Sequence, residues 1–403
     1  MSTDLLLAEL RDAARAELGD AVALRRRLHE NPELGLVLPE TQRAVLDWLA
    51  DVDCEVATGG QTSAVVATLR GGRPGPTLLL RADMDALPLR EETDLPFASR
   101  HEGRMHACGH DAHVAMLAGA ARVLARRRAE LPGTVKLVFQ PGEEGFGGAR
   151  VLIDEGLLDA EPRVDAAFAI HVDSSLPLGR VALRPGPILA SGDLLSIDLQ
   201  GRGGHASMPH LAADPIPVAC EIVMALQSFV TRRVDAFDPV VVSVTRIQAG
   251  TTANVIPPTA HLLGTIRSVS ERAREAARDG VRRVAEGIAA AHGVDAKVHL
   301  VPGYPVTVND AGFAEFARGV AAELVGEEAV VDMRAPIMGA EDFSYILQRV
   351  PGAIVFLGAR PPGEAGEPLH SSRMRIDEDA MATGIALHAA VALRWLHGAA
   401  KPA

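Results

Sequence analysis

The chain is organised around residues 105–127, MHACGHDAHVAMLAGAARVLARR, in which a short polar turn leads into a helix. Cys108 and His110 flank Gly109, and a helical pattern of apolar residues begins at Asp111. Zinc, manganese, cobalt and nickel all accept thiolate and imidazole ligands. A helix N-terminus also favours the thiolate form of a cysteine. A buried cysteine beside a capping aspartate is the alternative interpretation, because short Cys/His pairs are common.

The composition is that of a globular protein of two domains. The chain has 403 residues, too many for one core, with 48% hydrophobic and 23% charged residues. A net charge of -12 and an aromatic content of 3% argue against binding of nucleic acid, which requires a basic face and stacking rings. Apolar runs stay well short of the ~20 residues of a membrane span. We therefore expect no nucleic acid partner and no membrane association.

The cysteines and the N-terminus indicate a cytoplasmic protein. Cys54, Cys108 and Cys220 are widely spaced and odd in number, which argues against a disulfide framework and favours a reducing compartment. The first 18 residues alternate charges with leucines and lack the apolar centre and cleavage site of a signal peptide.

Strand and helix patterns alternate at both ends of the chain and predict an α/β fold. Helical periodicity predicts helices at 4–30, 40–51, 111–130, 148–158, 311–325, from Glu341 onward, and at 377–397. Apolar runs predict strands at 63–70, 77–85, 134–140, 166–172 and 353–359, the first two joined by a turn. This order favours a mostly parallel sheet with helices on both faces.

The middle of the chain has a different pattern, which predicts an inserted domain. The order is a strand at 194–200, a helix at 214–233, strands at 239–248 and 261–268, a helix at 271–292 and a strand at 296–302. This βαββαβ order is typical of a ferredoxin-like unit. We therefore expect a discontinuous catalytic domain at 1–185 and 303–403, with an inserted domain at 186–302.

Other side chains that bind first-row metals follow predicted strands or lie in loops. Glu143 and Glu144 follow the strand 134–140 in the glycine-rich stretch FQPGEEGFGGAR. They therefore lie at the carboxyl end of that strand, the edge of a parallel sheet where active sites are usually found. One carboxylate can bind a metal while the other serves as a general base. His171 ends the next strand, and His370 lies in a proline-flanked loop. The candidate ligands are Cys108, His110, Glu144, His171 and His370. This set is too large for one four-coordinate ion and suits two ions that share a ligand.

Each of these residues taken alone has a simpler explanation. An acidic pair commonly caps a helix, a histidine at a strand end is commonly a satisfied core residue, and a loop histidine is commonly exposed. His106 and His113 lie near the proposed ligands, and we expect them to support the site rather than bind metal.

Several segments, taken in order, resemble the aminoacylase/carboxypeptidase metallopeptidases. The resemblance is narrower to their amidohydrolase branch, which includes hippurate hydrolases and auxin–amino-acid conjugate hydrolases. It rests on RADMDALP (81–88), MHACGHDAH (105–113), QPGEE (140–144), the strand end at His171, GRGGHASMPH (201–210), TTANVIPP (251–258) and the LHSS loop (369–372). The resemblance covers nearly the whole chain. It implies a di-metal α/β domain with an inserted lid domain through which two copies dimerise.

The resemblance also implies the roles of the metal ligands. Cys108 bridges the two metals, a role that aspartate has in other branches. His110 and His171 complete the shell of one metal, and Glu144 and His370 complete that of the other.

The remaining roles follow from the same resemblance. Glu143 is implied to be the general base, and Asp85 to orient a metal-binding histidine. His205 and Asn254 resemble substrate and oxyanion contacts, and Arg267 is a candidate for binding the substrate carboxylate. The family usually has alanine at the position of Gly142, and the glycine here frees the loop slightly.

These residues predict a metal-dependent amidohydrolase that cleaves N-acyl amino acids with a metal-activated water. A dipeptidase or carboxypeptidase on the same scaffold is the alternative enzyme. A third hypothesis is a metal-dependent binding protein without catalysis, against which Glu143 argues, because a pure binding site needs no spare base. We expect two divalent metal ions, manganese, zinc, cobalt or nickel, and a homodimer.

Overall fold

The structure is a computed structural model that describes residues 3–399. Its helices are α1 (Thr3–Glu30), α2 (Pro39–Leu49), α3 (His110–Arg126), α4 (Gly148–Asp154), α5 (Pro215–Arg233), α6 (Glu271–Ala291), α7 (Ala311–Val325), α8 (Ser344–Leu347) and α9 (Ala380–Ala399). Among these residues no helix combines the length and apolar character needed to cross a bilayer.

Within residues 3–399, sixteen strands accompany the helices. They are β1 (Glu55–Thr58), β2 (Val65–Arg70), β3 (Arg73–Asp83), β4 (Pro132–Gln140), β5 (Ala166–Pro177), β6 (Val181–Leu183), β7 (Gly186–Leu189), β8 (Ser191–Gln200), β9 (Gly204–His205), β10 (Val240–Ala249), β11 (Val255–Ile256), β12 (Thr259–Ser268), β13 (Asp295–Val301), β14 (Thr307–Asn309), β15 (Val330–Asp332) and β16 (Gly352–Arg360).

The chain divides into two compact units. Among the described residues, the first comprises those up to 186, 308–334 and those from 345 onward, and the second comprises 187–307 and 335–344. Residues 335–344 group with the second unit, although the sequence pattern assigned them to the catalytic domain. The proposed domain boundaries therefore remain a prediction in this region.

The first unit is built on an eight-stranded sheet in the order β1-β2-β4-β3-β5-β16-β6-β15. Its centre, β4-β3-β5-β16, is parallel, as predicted. Strand β4 and most of β16 are buried along their length, because helices cover the sheet and leave no polar face for alternation. The parallel centre brings the carboxyl ends of β3, β4 and β5 to one edge of the sheet, and the segments singled out from the sequence follow there.

The second unit has the predicted βαββαβ order. Strands β8, β10, β12 and β13 form an antiparallel sheet in the order β10-β12-β8-β13. Alternate residues of β8 and β12 are buried, which is the pattern of a sheet with one covered face. Helices α5 and α6 supply the apolar side chains of this core, including Ile222, Leu226 and Val281.

The structure adds one detail and corrects another. The strands β2 and β3 are joined by a turn, as predicted, and β4 lies between them in the sheet and pairs antiparallel with β2. No long helix begins at Glu341: its side chain accepts from the amide of Phe343 at 3.0 Å, which closes a turn, and only the short α8 follows. Residues at a turn can carry an apolar pattern that resembles a helix, since the pattern does not report backbone hydrogen bonds.

Candidate metal centre

The turn that carries Cys108 and His110 depends on the glycine between them. Gly109 has φ +86°, and α3 begins at the next residue. A Cβ at this position would lie 2.4 Å from Cγ2 of Val172 on β5. Glycine is therefore required twice, for the left-handed backbone and for the close approach of the turn to the strand end that carries His171.

The five candidate ligands come together in two triplets that share one cysteine. The first triplet is Cys108, His110 and His171, and the second is Cys108, Glu144 and His370. Within each triplet the ligand atoms all lie within 4.8 Å of one another. Four of the five side chains are buried or nearly so, while that of His370 is half exposed in its loop. The thiol is therefore located where a shared ligand of two ions would have to be.

The histidines around Cys108 favour its thiolate. Burial raises the pKa of the thiol, but His171 and His110 outweigh it and lower this pKa to about 6. His171 Nε2 lies 3.5 Å from the Cys108 Sγ atom. Burial lowers the pKa of His171, while the sulfur raises it to a net value of about 9. The thiolate is the form that binds metal, whereas His171 must release its proton before its Nε2 can bind an ion.

Unsatisfied buried atoms test whether this set fits a metal pair. His110 donates from Nδ1 to the carbonyl oxygen of Asp85 at 2.8 Å, and its Nε2 is buried without a hydrogen-bond partner among the described residues. Glu144 Oε1 is likewise buried without one, although His370 Nε2 lies 3.3 Å away. An unpaired buried polar atom costs about 1–3 kcal/mol, which a bound cation would offset. The donor set of one thiolate, three imidazoles and a carboxylate fits two first-row ions.

Asp85 holds the loop that carries the two glutamates. Its Oδ1 accepts from the Glu143 amide at 2.9 Å, and its Oδ2 accepts from the Glu144 amide at 3.0 Å. The carbonyl of Asp85 also receives Nδ1–H of His110. The residue thus orients a candidate ligand through its backbone and the two glutamates through its side chain.

Two structural constraints that the sequence did not reveal explain why residue 142 is a glycine. It has φ +75°, and a Cβ there would lie 2.4 Å from Leu36 Cδ2 and 3.2 Å from Phe146 Cβ. An alanine would therefore require both a strained backbone and movement of the Leu36 side chain. The loop is held tightly rather than freed by this glycine.

His113 supports the site without a nitrogen available for metal. Its Nδ1 lies 2.5 Å from Asp83 Oδ1, and its Nε2 accepts from the amide of Val172 at 2.8 Å. Burial lowers the pKa of His113 to about 4, which keeps the ring neutral, with its proton directed at Asp83. Arg81 in turn donates to Asp83. Sequence reasoning assigned His113 a supporting role but did not single out Asp83, whose partner lies thirty positions away.

A second buried network lies behind the helix that begins at His110. Asp111 accepts from His29 Nδ1 at 2.8 Å and faces Arg25 Nε at 3.1 Å. His29 Nε2 lies 3.1 Å from Glu91 Oε1. Burial lowers the pKa of His29, but these carboxylates raise it to about 9, so the imidazolium pairs with Asp111. The sequence pattern gave no sign of this network, because its members come from α1, a loop and α3.

The remaining predicted residues belong to the second unit. His205 lies on β9, where its neighbour Ala206 donates to the carbonyl oxygen of Asn254 at 3.1 Å. His205 Nδ1 accepts from the amide of Ser207 at 3.1 Å, which leaves the proton of a neutral ring on Nε2. Arg267 lies on β12, and its Nη1 would be 2.6 Å from a Cβ at Gly192 on the neighbouring strand β8.

Comparisons with known proteins identify the family to which the chain belongs. Residues 79–394 match the family described as Peptidase family M20/M25/M40. The chain is 41% identical to thermostable carboxypeptidase 2 of Saccharolobus solfataricus over 93% of this chain and 95% of that protein. It is 41% identical to an N-acetylcysteine deacetylase of Bacillus subtilis over 89% and 92% of the two chains.

A solved structure extends the comparison to the fold. The crystal structure of a dinuclear metal-binding peptidase of family M20 from Bacillus subtilis is similar with a TM-score of 0.82 and 37% identity. The similarity covers 95% of this chain and 99% of that one. With a family match over most of its length, the chain belongs to peptidase family M20/M25/M40 and is a hydrolase of that family.

Proposed function

We propose that this protein is a metal-dependent amidohydrolase that cleaves the amide bond of N-acyl amino acids. The observation that carries the proposal is the pair of ligand triplets sharing Cys108, with Glu143 buried beside them. The deacetylase relative supports an acylated amino acid as the substrate class. Glu143 favours an enzyme over a binding protein, since the second carboxylate is not needed to complete either triplet.

Two divalent transition metal ions would be held by the five ligands. We assign Cys108 as the bridging ligand, His110 and His171 to one ion, and Glu144 and His370 to the other. Manganese, zinc, cobalt and nickel all accept this mixture of thiolate, imidazole and carboxylate. When bound, such a pair acidifies a water molecule and polarises the carbonyl of the scissile amide.

The protein's own groups would move the proton. Glu143 takes the proton of the attacking water and later delivers it to the leaving amine. Its position is set by Asp85, which holds its backbone amide at 2.9 Å. Because Glu143 and Glu144 are anchored to the same carboxylate, the base keeps a fixed distance from a metal ligand.

Groups of the second unit would recognise the substrate. His205 carries its proton on Nε2 because Nδ1 accepts from Ser207, and an Nε2–H donor suits a developing oxyanion. Arg267 suits the free carboxylate of the amino acid, since a guanidinium binds carboxylates with paired hydrogen bonds. Asn254, whose carbonyl oxygen accepts from the residue after His205, is a second candidate contact.

A dipeptidase or carboxypeptidase is the second candidate function. A relative with 41% identity is named a carboxypeptidase, and a peptide bond is also a linear amide beside a free carboxylate. The candidates differ in the acyl part of the substrate, which is a simple acyl group in one case and an aminoacyl or peptidyl group in the other.

Turnover by the purified protein separates the candidates. Metal-free protein is loaded with manganese, zinc, cobalt or nickel and assayed on N-acyl amino acids and on dipeptides of the same amino acid.

The metal content measured by elemental analysis should approach two ions per chain in the wild type. Cys108→Ala should lose more than one ion because the thiolate is shared. N-acyl amino acids should be the better substrates, and a preference for dipeptides would favour the second candidate. A wild-type metal content near zero with full activity would refute the metal site.

We further propose a cytoplasmic homodimer. All three cysteines are free, which suits a reducing compartment. Strand β10 is an edge of the second unit's sheet, and several of its residues are exposed, including Ile247. An exposed strand edge is a suitable surface for pairing with a second copy.

A further inference from the structure

We infer that Leu36, Val37 and Phe146, together called the apolar rim, bind the acyl group of the substrate and set which acyl groups are accepted. The inference rests on the proposed function and concerns the part of the substrate that none of the assignments above accounts for. The acyl groups that fit are aromatic or medium-length aliphatic ones, whose apolar surface the rim would remove from water.

The rim consists of apolar side chains that the fold leaves open. Val37 is 67% exposed and Phe146 is 55% exposed, while Leu36 is partly buried. Eight of the other phenylalanines are buried or half-buried, and only Phe237 in the second unit is more exposed. Exposed large apolar residues that cluster commonly mark a binding surface.

The side chains of Leu36 and Phe146 are held by close packing against two glycines. The ring of Phe146 lies against Gly35, where a Cβ would be 3.3 Å from Cε1 and Cζ. Leu36 and Phe146 both border Gly142, which has no Cβ to separate them. Gly35 and Gly142 both have positive φ, a backbone conformation that favours glycine, and neither has a Cβ that would keep the Phe146 side chain away. A rigid apolar surface loses little entropy when a ligand covers it.

The position of the rim identifies the acyl group as its occupant. Phe146 follows Glu144 by two residues, so their Cα atoms lie within about 7 Å of each other. The rim is therefore within reach of a group attached to the reacting carbonyl. The amino acid half carries a carboxylate and calls for cations or amide donors, which the rim does not offer. The acyl half is uncharged, and its apolar part suits leucine, valine and phenylalanine side chains.

Acyl-group selectivity tests the inference. N-benzoyl and N-acetyl derivatives of one amino acid are compared as substrates of the wild type, Phe146→Ala and Val37→Ala. The ratio of kcat/KM for benzoyl over acetyl should fall about tenfold in Phe146→Ala and severalfold in Val37→Ala, as expected when apolar contacts to a substrate group are removed. Val56→Ala, which shortens an exposed valine of β1, is the matched control and should leave the ratio unchanged.

Binding separates a failure of this inference from a failure of the proposed function. In the Glu143→Gln background, calorimetry measures Kd for the benzoyl and acetyl compounds without turnover. The benzoyl compound should bind more tightly, and Phe146→Ala should remove that difference even if the natural reaction proves to be peptide cleavage. Equal losses for both compounds, in kcat/KM and in Kd, would overturn the inference. So would a Val37→Ala protein that changes its oligomeric state, because the rim would then contact a second copy of the chain.

Discussion

His113 Nε2 accepts a hydrogen bond at 2.8 Å from the amide of Val172, the residue that follows His171. The same ring is bonded through Nδ1 to Asp83, and it lies one turn after His110 on α3. Helix α3 and strand β5 each carry a candidate ligand of the same triplet. The imidazole therefore fixes the separation of His110 and His171.

We expect His113→Leu to lose one metal and keep the other. The variant leaves the Val172 amide and the Asp83 carboxylate without their partner, and each unpaired buried group costs about 1–3 kcal/mol. The change disturbs the triplet with His110 and His171, while the triplet with Glu144 and His370 is held by other contacts. Elemental analysis should fall from two ions per chain towards one. His113→Gln, which can donate and accept, should recover part of the loss, and an unchanged content of two ions in His113→Leu would contradict the positioning role.

Exchanging the two glutamates for glutamines should separate their roles. Glu143→Gln keeps the backbone contact to Asp85 but removes the base, so it should retain both ions and lose turnover by a factor of about 10² or more. Glu144→Gln weakens a ligand and should release metal first, with activity partly restored by excess ion. Metal content and kcat measured on the same samples decide the matter. Metal loss in Glu143→Gln with retention in Glu144→Gln would mean that the roles are reversed.

The pair of His29 and Asp111 predicts a pH dependence of stability. The pKa of His29 is raised to about 9 in the folded protein and is near 6.5 when unfolded. Its contribution to the free energy of unfolding is therefore full below pH 6.5 and is lost as the pH rises through 9. The difference between wild type and His29→Gln should shrink by up to about 3 kcal/mol across this window.

Urea unfolding of metal-free protein at several pH values measures that difference. His397→Gln, which changes an exposed histidine at the end of α9, is the matched control. A difference that stays constant from pH 6 to pH 9.5 would show that His29 is not charged in the folded state.

Mixing two inactive variants tests whether His205 acts across a dimer. Glu143→Ala and His205→Ala should each be nearly inactive as pure proteins. If His205 serves the partner's site, random exchange gives about half heterodimers with one intact site each, and activity recovers to roughly a quarter of wild type. Mass spectrometry of differently labelled subunits confirms that exchange has occurred. Exchanged but inactive mixtures would place His205 within its own chain's site or outside catalysis.

Much of the fold followed from local patterns in the sequence. The parallel strands β3, β4, β5 and β16 were predicted because buried strands are continuous apolar runs with clear turns at their ends. The pairing of β2 with β4 was not, since register between distant strands depends on packing that no local pattern encodes. The short strands β6 and β15 were missed for a related reason: three residues are too few to show a period.

The candidate site divides in the same way. Cys108 and His110 could be found because their spacing and the helix after them are local features. The contacts of His113 with Asp83 and of His29 with Asp111 could not, because each joins residues that are 30 or 82 positions apart. The sequence alone does not distinguish a buried histidine that binds metal from one that hydrogen-bonds to a neighbouring strand.

The anchoring of Glu143 and Glu144 to one carboxylate limits how such a protein can change over evolutionary time. If the amides of two loop residues were bonded to different side chains, a substitution of one of those side chains would release one residue and leave the other in place. Here a substitution of Asp85 releases both glutamates at once, because it removes the acceptor of both amides. If the proposed roles hold, replacing the Glu143 side chain alone would end catalysis and keep metal binding, whereas remodelling of the loop would remove both properties together.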